Sequence, residues 1–81
     1  MSQLSLDDVE LRRQTITEAW DYLGKEYGGK KAVLDMMGLE SYEAVRKWIA
    51  QGYMPTNRAK QFEKLSEGRY TRDQFNPDFA D

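Results

Sequence analysis

The feature that most constrains the fold is a helical repeat of apolar residues, confined to short segments that turn-forming residues separate. The clearest segment starts at Thr15 and Glu18, which have the spacing of a capping box, and ends at two successive glycines. Its apolar positions are Ile16, Ala19, Trp20, Leu23 and Tyr27. The pattern predicts an amphipathic helix of about three turns, with Trp20 and Leu23 in the core.

Residues 30–49 predict two more helices joined by a tight turn. The first, over residues 30–37, places Val33, Leu34 and Met37 on one side. Ser41 is a suitable cap for the second, because its hydroxyl can accept a hydrogen bond from one of the first unpaired backbone N–H groups. The second helix then begins at Tyr42. Its buried stripe is expected to be Ala44, Val45, Trp48 and Ile49.

The opposite face of this second helix carries Tyr42, Glu43, Arg46 and Lys47. Arginine and lysine can donate to guanine O6 and N7, and glutamate can accept from cytosine N4. The face therefore predicts a surface that reads base edges. Two alternatives remain open: Tyr42 can pack on the domain's own surface, and Glu43 can complement the helix dipole.

Lys30 and Lys31 stand at the start of the first helix of this pair, where positive charge is slightly unfavourable to the helix dipole. A phosphate at that helix end would explain them, because the free N–H groups and the ammonium groups would bind the same anion. The alternative for these lysines, and for Arg58, Lys60 and Lys64, is an ordinary solvated charge.

A fourth helix is predicted after Pro55, with Thr56 or Asn57 as its cap. Its Ala59, Phe62 and Leu65 are expected to pack on Trp48 and Ile49, which leaves Arg58, Lys60 and Lys64 outside.

The C-terminal tail has three aromatic residues among polar ones: Tyr70, Phe75 and Phe79. Thr71 is a suitable cap for one helical turn before Asn76 and Pro77. The aromatic residues suggest that the tail folds back on the domain or docks on a partner.

Charge is distributed unevenly along the chain, although the net charge is only −2. Residues 1–27 carry three basic and six acidic side chains, residues 28–72 carry nine and five, and residues 73–81 carry three acidic ones. The middle segment is therefore at +4. Because the Debye length is about 8 Å at physiological salt, a phosphate would respond to this local patch.

Several classes of protein are disfavoured by composition. The 81 residues include no cysteine and no histidine, so disulfides, thiolate zinc sites and the usual general base are absent. We expect one domain, no catalytic residues, no metal and no cofactor. No apolar run has membrane-spanning length, and residues 1–10 lack the pattern of a signal peptide. A soluble, intracellular protein is therefore expected.

The run from Gly28 to Phe79, about two-thirds of the chain, resembles the Cro/YdaS-like family of phage and prophage repressors and antitoxin-linked regulators. The matching pieces are GGKKAVLDMMGL, AVRKW, QGYMP, RAKQFEKLSEGRYT and DQFNPDF. One departure is that the stretch between Gly38 and Val45 is one residue longer than usual, and another is Leu34, where a small residue is common. A longer turn between the two helices is therefore expected.

The resemblance implies an all-α, lambda-repressor-like domain of four or five helices with a helix-turn-helix. It also implies a DNA-binding transcriptional repressor in the cytoplasm of a bacterial host cell. This repressor would act as a homodimer on double-stranded DNA, with residues 41–50 as recognition helix in the major groove. Base-reading residues would be Ser41, Tyr42, Glu43, Arg46 and Lys47. Phosphate contacts would come from Lys30, Lys31, Gln51, Asn57 and Arg58.

The expected organisation is an N-terminal arm or short helix over residues 1–14, a helix-turn-helix domain over 15–69, and a tail over 70–81. Two other functions fit the same residues. One is a protein-binding module that holds a host or toxin-antitoxin partner through the acidic N-terminal segment or the aromatic tail. The other is an excisionase-like factor that bends DNA, since VRKWIAQGYMP also suits such a reader.

Overall fold

The computed structural model describes residues 4–79, with side chains from residue 8 onward, and this part of the chain is helical without any strand. The elements are α1 (Leu4–Tyr27), α2 (Lys30–Met37), α3 (Glu43–Gln51), α4 (Thr56–Leu65), α5 (Arg72–Phe75) and the 3₁₀ turn η1 (Pro77–Phe79). The expected all-α class is confirmed. Residues 1–3 of the predicted arm and residues 80–81 of the predicted tail lie outside the described residues.

The first helix is much longer than the capping box indicated. It has 24 residues, which at 1.5 Å per residue is about 36 Å. Thr15 lies in its interior, where the hydroxyl donates to the carbonyl of Leu11 at 2.9 Å. The prediction that a helix starts at Thr15 is therefore wrong. The helix continues because the residues before Thr15 pack on the end of α3, a contact that the local sequence pattern does not contain.

The core is formed on the inner side of α1. Ile16, Ala19, Trp20 and Leu23 are at most 1% exposed, which confirms the predicted positions of Trp20 and Leu23. The other helices and the loop after α3 contribute Val33, Met37, Val45, Trp48, Met54, Ala59, Phe62 and Phe75. Burial of each large apolar side chain stabilises the fold by about 1.5 to 3 kcal/mol relative to exposure.

The first helix ends at Gly28 and Gly29, as the sequence predicted. Both have positive φ, of 89° and 140°, which a residue with a side chain rarely adopts. The N–H of Gly29 donates to the carbonyl of Gly24 at 2.7 Å and so closes the end of α1. This turn places the start of α2 directly beside the last turns of α1.

The start of α4 differs from the sequence expectation. The helix begins at Thr56, and neither Thr56 nor Asn57 caps it; Pro55 is the capping residue, without a side-chain hydrogen bond. Pro55 has extended backbone angles, and its carbonyl accepts from the N–H of Ala59 at 2.9 Å. The fixed φ of proline prepares this start, so a polar cap is not needed.

The predicted packing of α4 on α3 is confirmed for Phe62 and Trp48. Ala59 and Phe62 are fully buried, and the ring of Phe62 meets Trp48 edge-on at 6.2 Å between ring centroids.

The tail folds back on the domain. The predicted cap is confirmed, because Thr71 and Gln74 form a reciprocal capping box at the start of α5. Phe75 is fully buried and meets Phe62 edge-on at 5.4 Å. Arg72 binds Glu63 of α4 at 2.7 Å, and this contact lowers the pKa of Glu63 below its ordinary value of 4.5. The tail therefore contributes to the core and is tied to α4 by charge.

Asn76 joins the tail to the loop between α3 and α4. It is 3% exposed, and its amide group donates to the carbonyl of Met54 at 2.6 Å. The N–H of Met54 in turn donates to the carbonyl of Phe75 at 2.9 Å, and the side-chain oxygen of Asn76 accepts from the N–H of Asp78 at 2.7 Å. These three hydrogen bonds fix the tail to the loop between α3 and α4.

Replacing Asn76 with alanine is expected to lower the free energy of unfolding by about 1 to 3 kcal/mol, because the carbonyl of Met54 loses its side-chain donor in a buried place. Urea unfolding followed by circular dichroism measures the change. Asp78→Ala is the control, since it removes an exposed carboxylate and leaves the Asp78 N–H in place. Equal stabilities for Asn76→Ala and the unchanged protein would contradict this account of the junction.

Candidate nucleic-acid interface on α3

The start of α3 is capped as the sequence predicted. The hydroxyl of Ser41 accepts from the N–H of Glu43 at 3.2 Å. Tyr42 already has helical backbone angles, with φ −73° and ψ −9°, and its carbonyl accepts from the N–H of Arg46 at 3.1 Å. The assigned helix begins at Glu43, one residue after the predicted start, a difference within the ordinary uncertainty of helix ends.

The inner side of α3 is the predicted apolar stripe. Val45 is fully buried and Trp48 is 4% exposed, while Ala44 and Ile49 are half-buried at the two edges. The stripe fixes the rotation of the helix about its own axis. Residues on the opposite side must therefore face away from the domain.

That outward side carries Glu43, Arg46 and Lys47, all exposed. Arg46 and Glu43 are also within 3.8 Å of each other, but both side chains are at least 66% exposed, so the pair is a weak surface contact. Ala50 is exposed on the same side, one turn after Arg46. Ala50 was not predicted as a site residue, because only polar residues were considered. Its spacing of four residues from Arg46 places it on the same side of the helix.

Tyr42 does not share this orientation. Its ring lies 5.7 Å from that of Trp20 between centroids, and only 40% of the residue is exposed. Tyr42 therefore covers the core on the side of α1, as one of the two sequence interpretations had it. Ser41 is exposed, but its hydroxyl is engaged in the cap. Of the five residues predicted to read bases, three face outward and neither cap the helix nor cover the core: Glu43, Arg46 and Lys47.

The end of α3 is held by two arginines of α1. Nε of Arg12 donates to the carbonyl of Gly52 at 2.9 Å, and Nη2 of Arg13 donates to the carbonyl of Ala50 at 3.1 Å. Val9 touches the same end: a Cβ built on Gly52, whose φ is +87°, would lie 2.9 Å from a methyl group of Val9. We call these contacts the α1–α3 end contact. The sequence held one signal for it, two adjacent arginines in an otherwise acidic segment.

These contacts also define how the two helices lie. The start of α3 is beside Trp20 and its end is beside Val9, so α3 runs along α1 in the opposite direction. Backbone carbonyls at a helix C-terminus have no partner within the helix and carry partial negative charge. A guanidinium group donates hydrogen bonds to these carbonyls and brings a positive charge next to them. The helix is thus fixed at its start by Ser41 and at its end by α1.

Two of the residues predicted to bind phosphate have contacts within the protein. Nζ of Lys30 lies 2.8 Å from the carboxylate of Asp21, and this hydrogen bond raises the pKa of Lys30 above its ordinary 10.5. Arg58 is half-buried, and its Nη1 donates to the carbonyl of Met37 at 2.6 Å and to the side-chain oxygen of Gln61 at 2.7 Å. The expectation that Arg58 lies outside the packed part of the domain is therefore wrong.

The other three lie at the surface. Lys31 is exposed and forms no salt bridge with another side chain of the described region. Gln51 is exposed, and its amide donates to the carbonyl of Tyr53 at 2.9 Å. Asn57 is exposed in the first turn of α4. These three belong to three different helices, each at one end.

Comparisons with protein-family models, with curated proteins and with solved structures find no match to this chain. Within the described residues, no group of three or more acidic side chains is placed to hold a metal ion. No helix in that same part of the chain is both long and apolar enough to cross a membrane. The chemistry of α3 is therefore the main guide to function.

Replacing Arg58 with alanine is expected to lower the free energy of unfolding by about 1 to 3 kcal/mol, because the last carbonyl of α2 loses a charged donor. Chemical denaturation of the two proteins measures the difference. Lys64→Ala, an exposed position on the same helix, controls for loss of positive charge and is expected to change stability much less. Equal effects of the two substitutions would show that Arg58 contributes only its charge.

Proposed function

We propose that this protein is a sequence-specific DNA-binding regulator of transcription, a repressor of the Cro/YdaS-like type, in which α2, the connecting residues 38–42 and α3 act as a helix-turn-helix. The observation that carries the proposal is the division of α3 into two sides. Val45 and Trp48 are buried on one side, and Arg46 and Lys47 are exposed on the other. This is the arrangement that a recognition helix requires.

The outward side has the chemistry to read a major groove. Arg46 and Lys47 are donors for guanine O6 and N7, and Glu43 is an acceptor for cytosine N4. The methyl group of Ala50 suits contact with the C5-methyl of thymine, and its small size lets the duplex come close to the helix. An α-helix with its side chains is about 10 to 12 Å across, which fits the major-groove width of about 12 Å.

The surface around α3 has suitable groups for the phosphate backbone. Lys31 and Asn57 are exposed in the first turns of α2 and α4, where side chains and free N–H groups can bind an anion together. Gln51 is exposed at the C-terminal end of α3 and offers only its side-chain amide. We expect Lys30 and Arg58 to contribute less to phosphate binding, because their charged groups already have partners in the protein. Binding as a homodimer to a two-fold symmetric site is part of the proposal.

One observation favours a second function, binding to another protein. Leu11 is 60% exposed on α1, and Asp8 and Glu10 are exposed beside it. An apolar side chain among acidic ones suits a basic partner. Enrichment of one protein with no enrichment of DNA would favour this function over transcriptional regulation.

The main test is a selection of DNA fragments by the purified protein, followed by measurement with Arg46→Ala. The variant is expected to bind the selected sequence about 1 to 3 kcal/mol more weakly and random DNA almost as well as before, because a base contact acts only on the cognate site. Gln14→Ala, an exposed change on α1, is the control for surface substitution. Equal losses of affinity for both DNAs would show that Arg46 contacts phosphate and not a base. If the protein selected no sequence at all, the proposal of sequence-specific DNA binding would be wrong.

A second test separates the two neighbouring lysines. Lys31→Ala is expected to reduce the slope of log affinity against log salt by nearly one unit, because one phosphate contact and its released counterion are lost. Lys30→Ala should change the slope less, since its ammonium group is paired with Asp21. Binding titrations from low to moderate salt measure both. Identical slopes for Lys31→Ala and the unchanged protein would remove Lys31 from the interface.

A further inference from the structure

The two arginines of the α1–α3 end contact lie outside every set of DNA-contacting residues considered above. We propose that Arg12 and Arg13 are positioning residues for DNA recognition: by fixing the last turn of α3, they keep Ala50 in register with Arg46 and Lys47. The inference rests on the proposed function and adds to it residues from a helix that does not enter the groove.

The contact is built from several independent interactions at one place. Arg12 binds the carbonyl of Gly52 at 2.9 Å and Arg13 binds that of Ala50 at 3.1 Å, while a methyl group of Val9 occupies the space where a side chain at residue 52 would be. Arg13 is itself held by Glu10, whose carboxylate accepts from Nη1 at 3.2 Å. Such a set constrains both the position and the direction of the helix end.

The last turn of α3 needs this support. The helix has nine residues, and isolated helices shorter than about 12 to 15 residues are marginal in water. Val45 and Trp48 hold the middle of α3 to the core, but Ala50 and Gln51 are exposed. Without the arginines, the carbonyls of Ala50 and Gly52 would have only water as partner, and the end of the helix would fray. Ala50, four residues after Arg46, is on the part of the outward side that fraying would move.

A direct phosphate contact is a poorer explanation of these arginines. Nη1 and Nη2 of Arg13 both have partners in the protein, and Arg12 is half-buried with its Nε on a carbonyl. Two neighbouring glutamates, Glu10 and Glu18, are exposed on α1 and would repel a phosphate that approached from this side. The guanidinium groups therefore act through α3.

The experiment compares the double variant Arg12→Ala and Arg13→Ala with a control of the same charge, Lys25→Ala and Arg69→Ala. Lys25 is exposed at the other end of α1, and Arg69 lies over the ring of Tyr22 at 4.6 Å, so neither touches α3. The probes are the duplex selected by the unchanged protein and a random duplex of equal length. Circular dichroism first establishes a temperature at which every protein is folded.

The arginine variant is expected to lose about tenfold or more in affinity for the selected duplex, the size of effect that one displaced base contact produces. Its affinity for random DNA and its salt slope are expected to match those of the control. An equal loss in the control would show a general effect of charge and overturn the proposal. A slope lower by nearly two units than that of the control would also overturn it, because the arginines would then be phosphate contacts.

Amide hydrogen exchange without DNA tests the structural part alone. The N–H groups of Gly52 and Tyr53 both bind the carbonyl of Trp48, at 2.9 and 3.2 Å, and report on the last turn. They are expected to exchange about tenfold faster in the arginine variant, relative to the amide of Phe62 in the same sample, because a tenfold change corresponds to a local loss of about 1.4 kcal/mol. Unchanged relative exchange would overturn the proposal.

If the double variant does not fold, Arg13→Ala alone is measured against Arg69→Ala with the same criteria.

These outcomes separate the inference from the function on which it rests. Failure of the unchanged protein to select any sequence removes DNA recognition as a whole. A selected sequence that the arginine variant binds as well as the control does removes only the role of Arg12 and Arg13.

Discussion

The ring of Phe62 is the point at which most of the helices meet. It stacks on Trp20 of α1 at 6.3 Å, meets Trp48 of α3 edge-on at 6.2 Å, and meets Phe75 of α5 edge-on at 5.4 Å. Aromatic pairs of this kind add about 0.5 to 1.5 kcal/mol each to the burial of their surface. Because one of these partners belongs to α3, the orientation of the outward side depends on the same cluster that holds the domain together.

Arginine has a recurring structural task in this protein. Arg12 and Arg13 bind carbonyls at the end of α3, and Arg58 binds the last carbonyl of α2. Short helices leave a large share of their backbone groups without partners, so a chain made of them benefits from charged donors at helix ends. A count of basic residues in the sequence therefore overestimates the positive charge that the protein surface can offer to a ligand. Exposed lysines, such as Lys31 and Lys47, are better guides to the proposed interface.

Local sequence signals predicted the features that depend on neighbouring residues. The buried stripe of α3, the Ser41 cap and the Thr71 cap all follow from spacings of a few residues, and all three are confirmed. The length of α1 and the placement of Arg58 were missed, because they depend on contacts between residues 21 to 40 positions apart. At the candidate site, the outward positions of Arg46 and Lys47 were predictable, whereas the packing of Tyr42 on Trp20 required the fold.

The contact between Trp20 and Tyr42 gives the molecule an optical signal of its own. Trp20 is 1% exposed, and its indole N–H has no hydrogen-bond partner among the described residues, so its fluorescence should lie at short wavelength, as for an indole in an apolar environment. Tyr42 stands directly before the first residue of α3, next to that indole ring. Any ligand that shifts the start of α3 would therefore alter the tryptophan emission, to which Trp48 of α3 also contributes, and the protein can report such an event without an attached dye.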